Sequence, residues 1–248
     1  MTRHDGSPVA FVTGADHGLG LALTEGLLAR GWAVVAGRYG RSPAEAVEHS
    51  LASIEHQHGE RLHVVPLDVS DAESVSAAAD AVRHPRIDLV INNAGILGNE
   101  GIDRRIADGL DYASILETIS VNALGSLRVV EALLRKTSDS SLKRLCFVSS
   151  EAGSITRCYR DSWYGYSMSK AALNMGVAVL FNELRPKGYT IRIYHPGWMQ
   201  TFMSGQRNLE ATLAPHEAAA HALRYFLDEE VDENRLVMRD YEGREWPW

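Results

Sequence analysis

The chain has 248 residues, 45% hydrophobic and 23% charged, enough apolar material for one large α/β domain or two small ones. A formal net charge of −7 argues against the clustered basic surface of a nucleic-acid binder. No uninterrupted run of 18 apolar residues is present to span a membrane, and the two cysteines, Cys146 and Cys158, suit neither a disulfide scaffold nor a metal-ligand spacing.

Short apolar strands alternate with longer helical patterns along the whole chain. Val9–Val12 reads as a buried strand, followed by a glycine turn and a helix over Leu19–Ala29. Ala33–Ala36 is the second strand, with a helix from about Pro43 to Gln57, and Leu62–Val65 is the third, with a helix capped by Ser70 or Asp71. Ile87–Ile91 and Leu145–Val148 are the fourth and fifth, Ile191–Tyr194 the sixth, and Leu236–Met238 closes the sheet. Two helical stretches, about Ile115–Lys136 and Tyr164–Arg185, flank the fifth strand. Continuous β-branched runs separated by helices indicate parallel strands buried on both faces. The expected fold is α/β: a single doubly wound, Rossmann-type parallel sheet of about seven strands with helices on both faces. No repeat or linker divides residues 1–248, and the N-terminal segment lacks the apolar core of a signal peptide, so a cytoplasmic setting is expected.

Two short patterns carry chemistry. Thr13-Gly14-Ala15-Asp16-His17-Gly18-Leu19-Gly20 joins the first strand to the first helix, where glycines admit a pyrophosphate to the unpaired N–H groups of the helix N-terminus. Many strand-to-helix turns need glycine only to turn, but this position after the first strand favours dinucleotide binding. Tyr166 and Lys170 stand four apart, on one face of the helix carrying them. A cation beside a phenol favours its ionised form, which suits general acid–base work. By spacing alone the pair could equally be a solvated helix face.

In combination these motifs resemble the short-chain dehydrogenase/reductase family. The resemblance rests on Thr13-Gly14 with Gly18 and Gly20, Asp68-Val69, Asn92-Asn93-Ala94-Gly95, Ser149-Ser150, Tyr166 with Lys170, and Pro196-Gly197 followed by Thr201, in the family's order over nearly the whole chain. The resemblance implies that Gly14, His17, Gly18, Leu19 and Gly20 line the cofactor turn and that Asp68 and Val69 contact adenine. It places Asn93, Ala94 and Gly95 along the cofactor, and Pro196, Gly197 and Thr201 at its nicotinamide end. It makes Asn122, Ser150, Tyr166 and Lys170 the catalytic set: Ser150 to hydrogen-bond the substrate carbonyl, Tyr166 to pass the proton, Lys170 to lower the Tyr166 pKa and bind the nicotinamide ribose, Asn122 to hold a water linking Lys170 to solvent. His195-Pro196-Gly197-Trp198 and the C-terminal Tyr241–Trp248 stretch further resemble the sniffer and C-factor-like carbonyl reductases, although Phe202 stands where that subgroup has an acidic residue.

Charge selects the cofactor. The stretch Ala36-Gly37-Arg38-Tyr39-Gly40-Arg41 has no carboxylate to accept from ribose hydroxyls, so NADP is expected over NAD, with Arg38 pairing with the 2′-phosphate. Arg38 and Arg41 could instead be solvated loop charges, and His17 could assist or face water. Ser150 and Tyr166 lie 16 apart, longer than is usual in the family, so residues 155–163 are expected over the substrate mouth. The pocket should form from residues 151–166 and 196–215, with Tyr159, Trp163, Trp198, Met199, Phe202 and Met203 as an apolar wall and with Arg157 and Arg160 facing solvent. The expected protein is an NADP-dependent oxidoreductase for an apolar carbonyl or alcohol, assembled as a homodimer or homotetramer. The alternative is an NADP(H)-binding regulatory protein with little turnover; an isomerase on the same scaffold lacks a second catalytic base.

Overall fold

The computed structural model describes residues 6–40, 50–98, 102–203 and 208–248. Eight strands form one sheet in the order β3-β2-β1-β4-β5-β6-β7-β8. They are β1 (Val9–Val12), β2 (Ala33–Arg38), β3 (Leu62–Pro66), β4 (Leu89–Asn92), β5 (Arg144–Val148), β6 (Thr190–His195), β7 (Met238–Asp240) and β8 (Glu245–Trp246). β1 to β7 are parallel, and β8 returns antiparallel, setting Trp246 opposite Met238. The seven expected strands are present and β8 is an eighth. Its hairpin is built by Asp240, whose Oδ1 accepts from Glu242 N at 3.0 Å and Arg244 N at 2.9 Å.

Side-chain alternation along the strands divides the core. Phe11, Val35, Val90, Phe147 and Ile193 point to a face covered by α3 (Ala72–Ala81), α5 (Gly125–Ser138) and α6 (Tyr164–Leu184). Val12, Val34, Ile91, Cys146 and Tyr194 point to the face covered by α1 (Gly18–Ala29), α2 (Leu51–His58) and α7 (Pro215–Phe226). Because both faces are packed, each strand reads as an unbroken apolar run. The expected Pro43 start of the second helix lies outside the described residues, and so does Arg41. Asp71 is the cap of α3, accepting from Glu73 N at 3.0 Å.

The stretch expected as one helix over Ile115–Lys136 is α4 (Tyr112–Ile119), a π-helical segment over Ser120–Leu124, and then α5. Together Tyr112–Ser138 has the length and composition of a membrane span, but Val129, Val130 and Leu133 are spent on the core. β1 continues to β2 on one side and neighbours β4 on the other, so the order reverses between β1 and β4. In open parallel sheets the crevice at such a switch point, beyond the C-terminal strand ends, is where ligands bind.

Candidate active site

The crevice is closed at its floor by a hydrogen-bonded cross-link between the β1 and β4 ends. Thr13 Oγ1 accepts from Asn93 N at 3.0 Å and Ala94 N at 2.9 Å, while Asn93 Nδ2 donates to the Thr13 and Gly14 carbonyls, each at 3.0 Å. Gly20 permits this closeness, since a Cβ there would fall 2.0 Å from the Gly14 carbonyl oxygen. α1 begins above the cross-link with no side-chain cap and no acidic residue in its first turn, leaving its N–H groups directed at the crevice. An anionic pyrophosphate fits this end of the helix. Leu19 is buried beneath it.

Around the turn the expected cofactor residues gather. Gly18 faces Thr201, whose Cγ2 would lie 3.4 Å from a Cβ at that glycine. His17 is half-buried, edge-on to Phe202 with ring centroids 6.1 Å apart, so it packs under the 201–203 segment rather than facing open water. Arg38 ends β2 and is exposed. The loop after it is held by Asp16, which accepts from Tyr39 N at 3.0 Å and Gly40 N at 3.2 Å. That anchoring role went unread in the sequence, where Asp16 stood within the glycine turn with no part assigned to it. Asp68 is half-buried and accepts from Ser70 N at 2.8 Å and Ser70 Oγ at 2.7 Å, and Val69 is buried against Gly125. Pro196 is buried, and Gly197 presses so closely on Tyr241 and Leu213 that a side chain there would collide with both.

At the other end of the crevice stand the four expected catalytic residues, all buried. Ser150 lies two residues beyond the end of β5 and caps a single 3₁₀ turn, Glu151–Gly153, accepting from Ala152 N at 3.1 Å. Gly153 lets that turn approach α6, since a Cβ there would lie 2.7 Å from the Lys170 carbonyl carbon. Ser149 Oγ donates to Asn174 Oδ1 at 2.6 Å, which ties the serine pair to the helix one turn beyond Lys170. Tyr166 shares a hydrogen bond with Ser150, and burial pushes its phenol up to about 12 against the opposing pull of that bond. Lys170 Nζ lies 5.7 Å from the Tyr166 ring centroid and donates to the Val148 carbonyl at 3.0 Å. Burial pushes its amine down to about 8. Burial sets the direction of the Tyr166 shift, and the Lys170 amine turns to the Val148 carbonyl.

Asn122 sits in the π-helical segment, the widened kind of turn that recurs at functional sites. Its amide grips the strand-4 loop, accepting from Ile96 N and donating to Ile96 O, both at 2.8 Å, and donates to Ser169 Oγ at 2.9 Å. Gly95 lies between it and the lysine; a Cβ there would be 3.2 Å from Asn122 Oδ1 and 3.6 Å from Lys170 Nζ.

The pocket wall departs from expectation. Of the six apolar residues assigned to it, Tyr159, Trp198 and Met203 are exposed and Met199 packs at the margin of the α1/α7 core. Trp163 stands edge-to-face on Tyr166, centroids 6.0 Å apart. Arg160 does not face solvent: it pairs bidentately with Glu151, Nη2 at 2.6 Å and Nη1 at 2.8 Å, because its charge needs a partner this close to the buried site. Arg157 is exposed but lies over the Trp246 ring at 5.1 Å. His195 is held near pKa 4 by burial, so its ring is neutral, and it packs beside Trp246.

Comparison with known proteins identifies the family. The C-signal protein of Myxococcus xanthus is 39% identical over 162 residues, covering 65% of this chain and 93% of its own length. The NADPH-bound carbonyl reductase from chicken fatty liver superposes with a TM-score of 0.84 at 27% identity, covering 98% of this chain and 99% of that one. Carbonyl reductase Sniffer of D. melanogaster shares the fold, with a TM-score of 0.83 at 21% identity over 98% of this chain and 99% of its own. A family model described as short chain dehydrogenase matches residues 8–212, a span that contains the β1–β4 cross-link, the serine pair and the Tyr166/Lys170 helix. The chain belongs to the short chain dehydrogenase family.

Proposed function

We propose that the protein is an NADP-dependent oxidoreductase acting on a carbonyl or alcohol substrate, with Tyr166 as general acid in reduction and general base in oxidation. The observation that carries this reading is the buried cluster of Tyr166, its hydrogen-bond partner Ser150 and Lys170 at the same crevice as the uncapped α1 N-terminus. The α1 turn over Gly14–Gly20 would hold the pyrophosphate, Arg38 the 2′-phosphate, and Asp68 with Val69 the adenine. Asn93, Ala94, Gly95, Pro196, Gly197 and Thr201 would line the remainder. Bound there, the dinucleotide supplies the hydride. Ser150 Oγ orients the substrate oxygen, and Tyr166 Oη gives that oxygen a proton. Lys170 Nζ carries the nearby positive charge and would bind the ribose, and Asn122 fixes the backbone that borders it.

NADPH oxidation measured against aldehydes, ketones, quinones and dicarbonyls tests the reading. We expect turnover on an apolar member of the panel, and a fall of about 10² to 10⁴ in Tyr166→Phe with cofactor binding nearly intact. A second reading, an NADP(H)-binding regulator with little turnover, is favoured by the C-signal name of the Myxococcus relative. Wild-type and Tyr166→Phe proteins that bind NADPH equally and turn over nothing would support it.

A further inference from the structure

Trp163 immediately precedes α6 with φ 65° and ψ 34°, a left-handed backbone that a bulky L residue adopts only at a cost. Neighbouring groups hold it there. The indole Nε1 donates to Asp103 Oδ1 at 2.7 Å, and the Trp163 backbone N donates to Ile102 O at 2.9 Å. The Arg160 guanidinium lies 5.1 Å from the indole centroid and is fixed by Glu151, the residue next to Ser150. The remaining ring contact of the indole is Tyr166 itself, edge-to-face. The same loop is tied at its other end, where Thr156 N and Oγ1 donate to the Trp248 carbonyl at 3.0 and 2.5 Å and Arg157 lies over Trp246. Residues 154–163 are thus a preformed wall, anchored to the 102–103 loop, to Glu151 and to the 246–248 segment.

We propose that Trp163 is a positioning residue for the Tyr166 phenol and the wall that limits the size of the carbonyl compound admitted. The inference rests on the redox reading above and narrows its substrate class. Strain concentrated beside a functional group is maintained only where the surroundings over-determine it, and here the indole N–H bond to Asp103, the backbone bond to Ile102 and the Arg160 contact together hold the ring that stands against Tyr166. Arg160 spends two of its N–H groups on Glu151, so the guanidinium beside the indole is not free for a carboxylate, and Arg157 stands at the far end of the loop over Trp246. The class that fits is a compact, uncharged aldehyde or ketone.

Three variants separate the contributions. Trp163→Gly removes the ring and suits the left-handed backbone, Trp163→Ala removes the ring and keeps the strain, and Trp163→Phe keeps a ring without the indole N–H. We expect the Gly variant to melt above the Ala variant. Both should lower kcat on a compact aldehyde about tenfold, as misplacement of a reacting group does. Both should also raise the ratio of kcat/KM for a bulky ketone over that for the aldehyde by about tenfold, and the Phe variant should return the ratio towards wild type. Equal melting of the Gly and Ala variants, or an unchanged ketone-to-aldehyde ratio, overturns the inference. The melting order requires no turnover, so it stands or falls separately from the redox reading, which wild-type NADPH consumption judges alone.

Discussion

Burial acts on Tyr166 and Lys170 in opposite electrical senses, and both shifts favour the uncharged form. The Lys170 amine, held near 8 from an ordinary 10.5, adds stability that is fully present above 10.5 and lost as pH falls through 8. The Tyr166 phenol, raised from 10 to about 12, adds stability present below 10 and lost as pH rises through 12. Between pH 8 and 9 stability to urea should rise with pH on account of the lysine, and Lys170→Met should abolish that rise; above 9 the buried Cys146 thiol, pushed up to about 12, opposes it. Activity should run the other way: kcat/KM for carbonyl reduction should fall as pH climbs through about 8 and the ammonium is lost. At the cofactor end, Arg38→Ala should weaken NADPH binding about tenfold or more and leave NADH nearly untouched, since a charge-assisted contact contributes roughly 1.5–3 kcal/mol. Titration of both dinucleotides into both proteins checks this.

Among the elements, those with a strong period were legible and those built by single residues were not. β1 to β6 could be read from unbroken apolar runs, and α1 and α6 from the patterns around Gly18 and Tyr166. The π-helical turn at Ser120–Leu124 was not, because Ser-Val-Asn-Ala-Leu contains no Gly or Pro to mark a break in the helix. The Glu151–Arg160 pair joins residues nine apart through irregular backbone, where no periodicity exists to read. Asp16 was hidden for the same reason, its partners lying across the sheet on the β2 loop. A similar non-local knot ties β5 and β6 to the loop after α7. Arg144 and Arg192, both buried, share Glu233, and they also donate to the Phe226, Tyr225 and Asp228 carbonyls. Glu233→Ala leaves two buried guanidinium groups without a carboxylate and should cost about 3–5 kcal/mol in chemical denaturation, a loss that Glu233→Gln should recover only in part.

On the scale of the whole molecule, packing leaves an apolar surface uncovered on α4 and α6. Tyr112 and Leu116 on α4 and Met168, Met175 and Val179 on α6 are each at least half exposed, on two helices that pack together. Area of this kind marks an association surface, and a two-fold pairing through α4 and α6 would cover it. Light scattering at micromolar concentration should give at least twice the chain mass, and Met175→Glu with Val179→Glu should shift the particle towards a single chain.

The short hairpin at the end of the sheet bears on how copies can meet. β8 offers only two residues to a further strand, one of them Glu245, whose carboxylate pairs with Arg235. Pro247 follows at once and has no N–H to donate to a ladder. A neighbouring chain that tried to extend the sheet at this margin would find a charge and then a missing donor. The margin is a dead end for strand addition, one of the ways natural sheets resist growing into fibres.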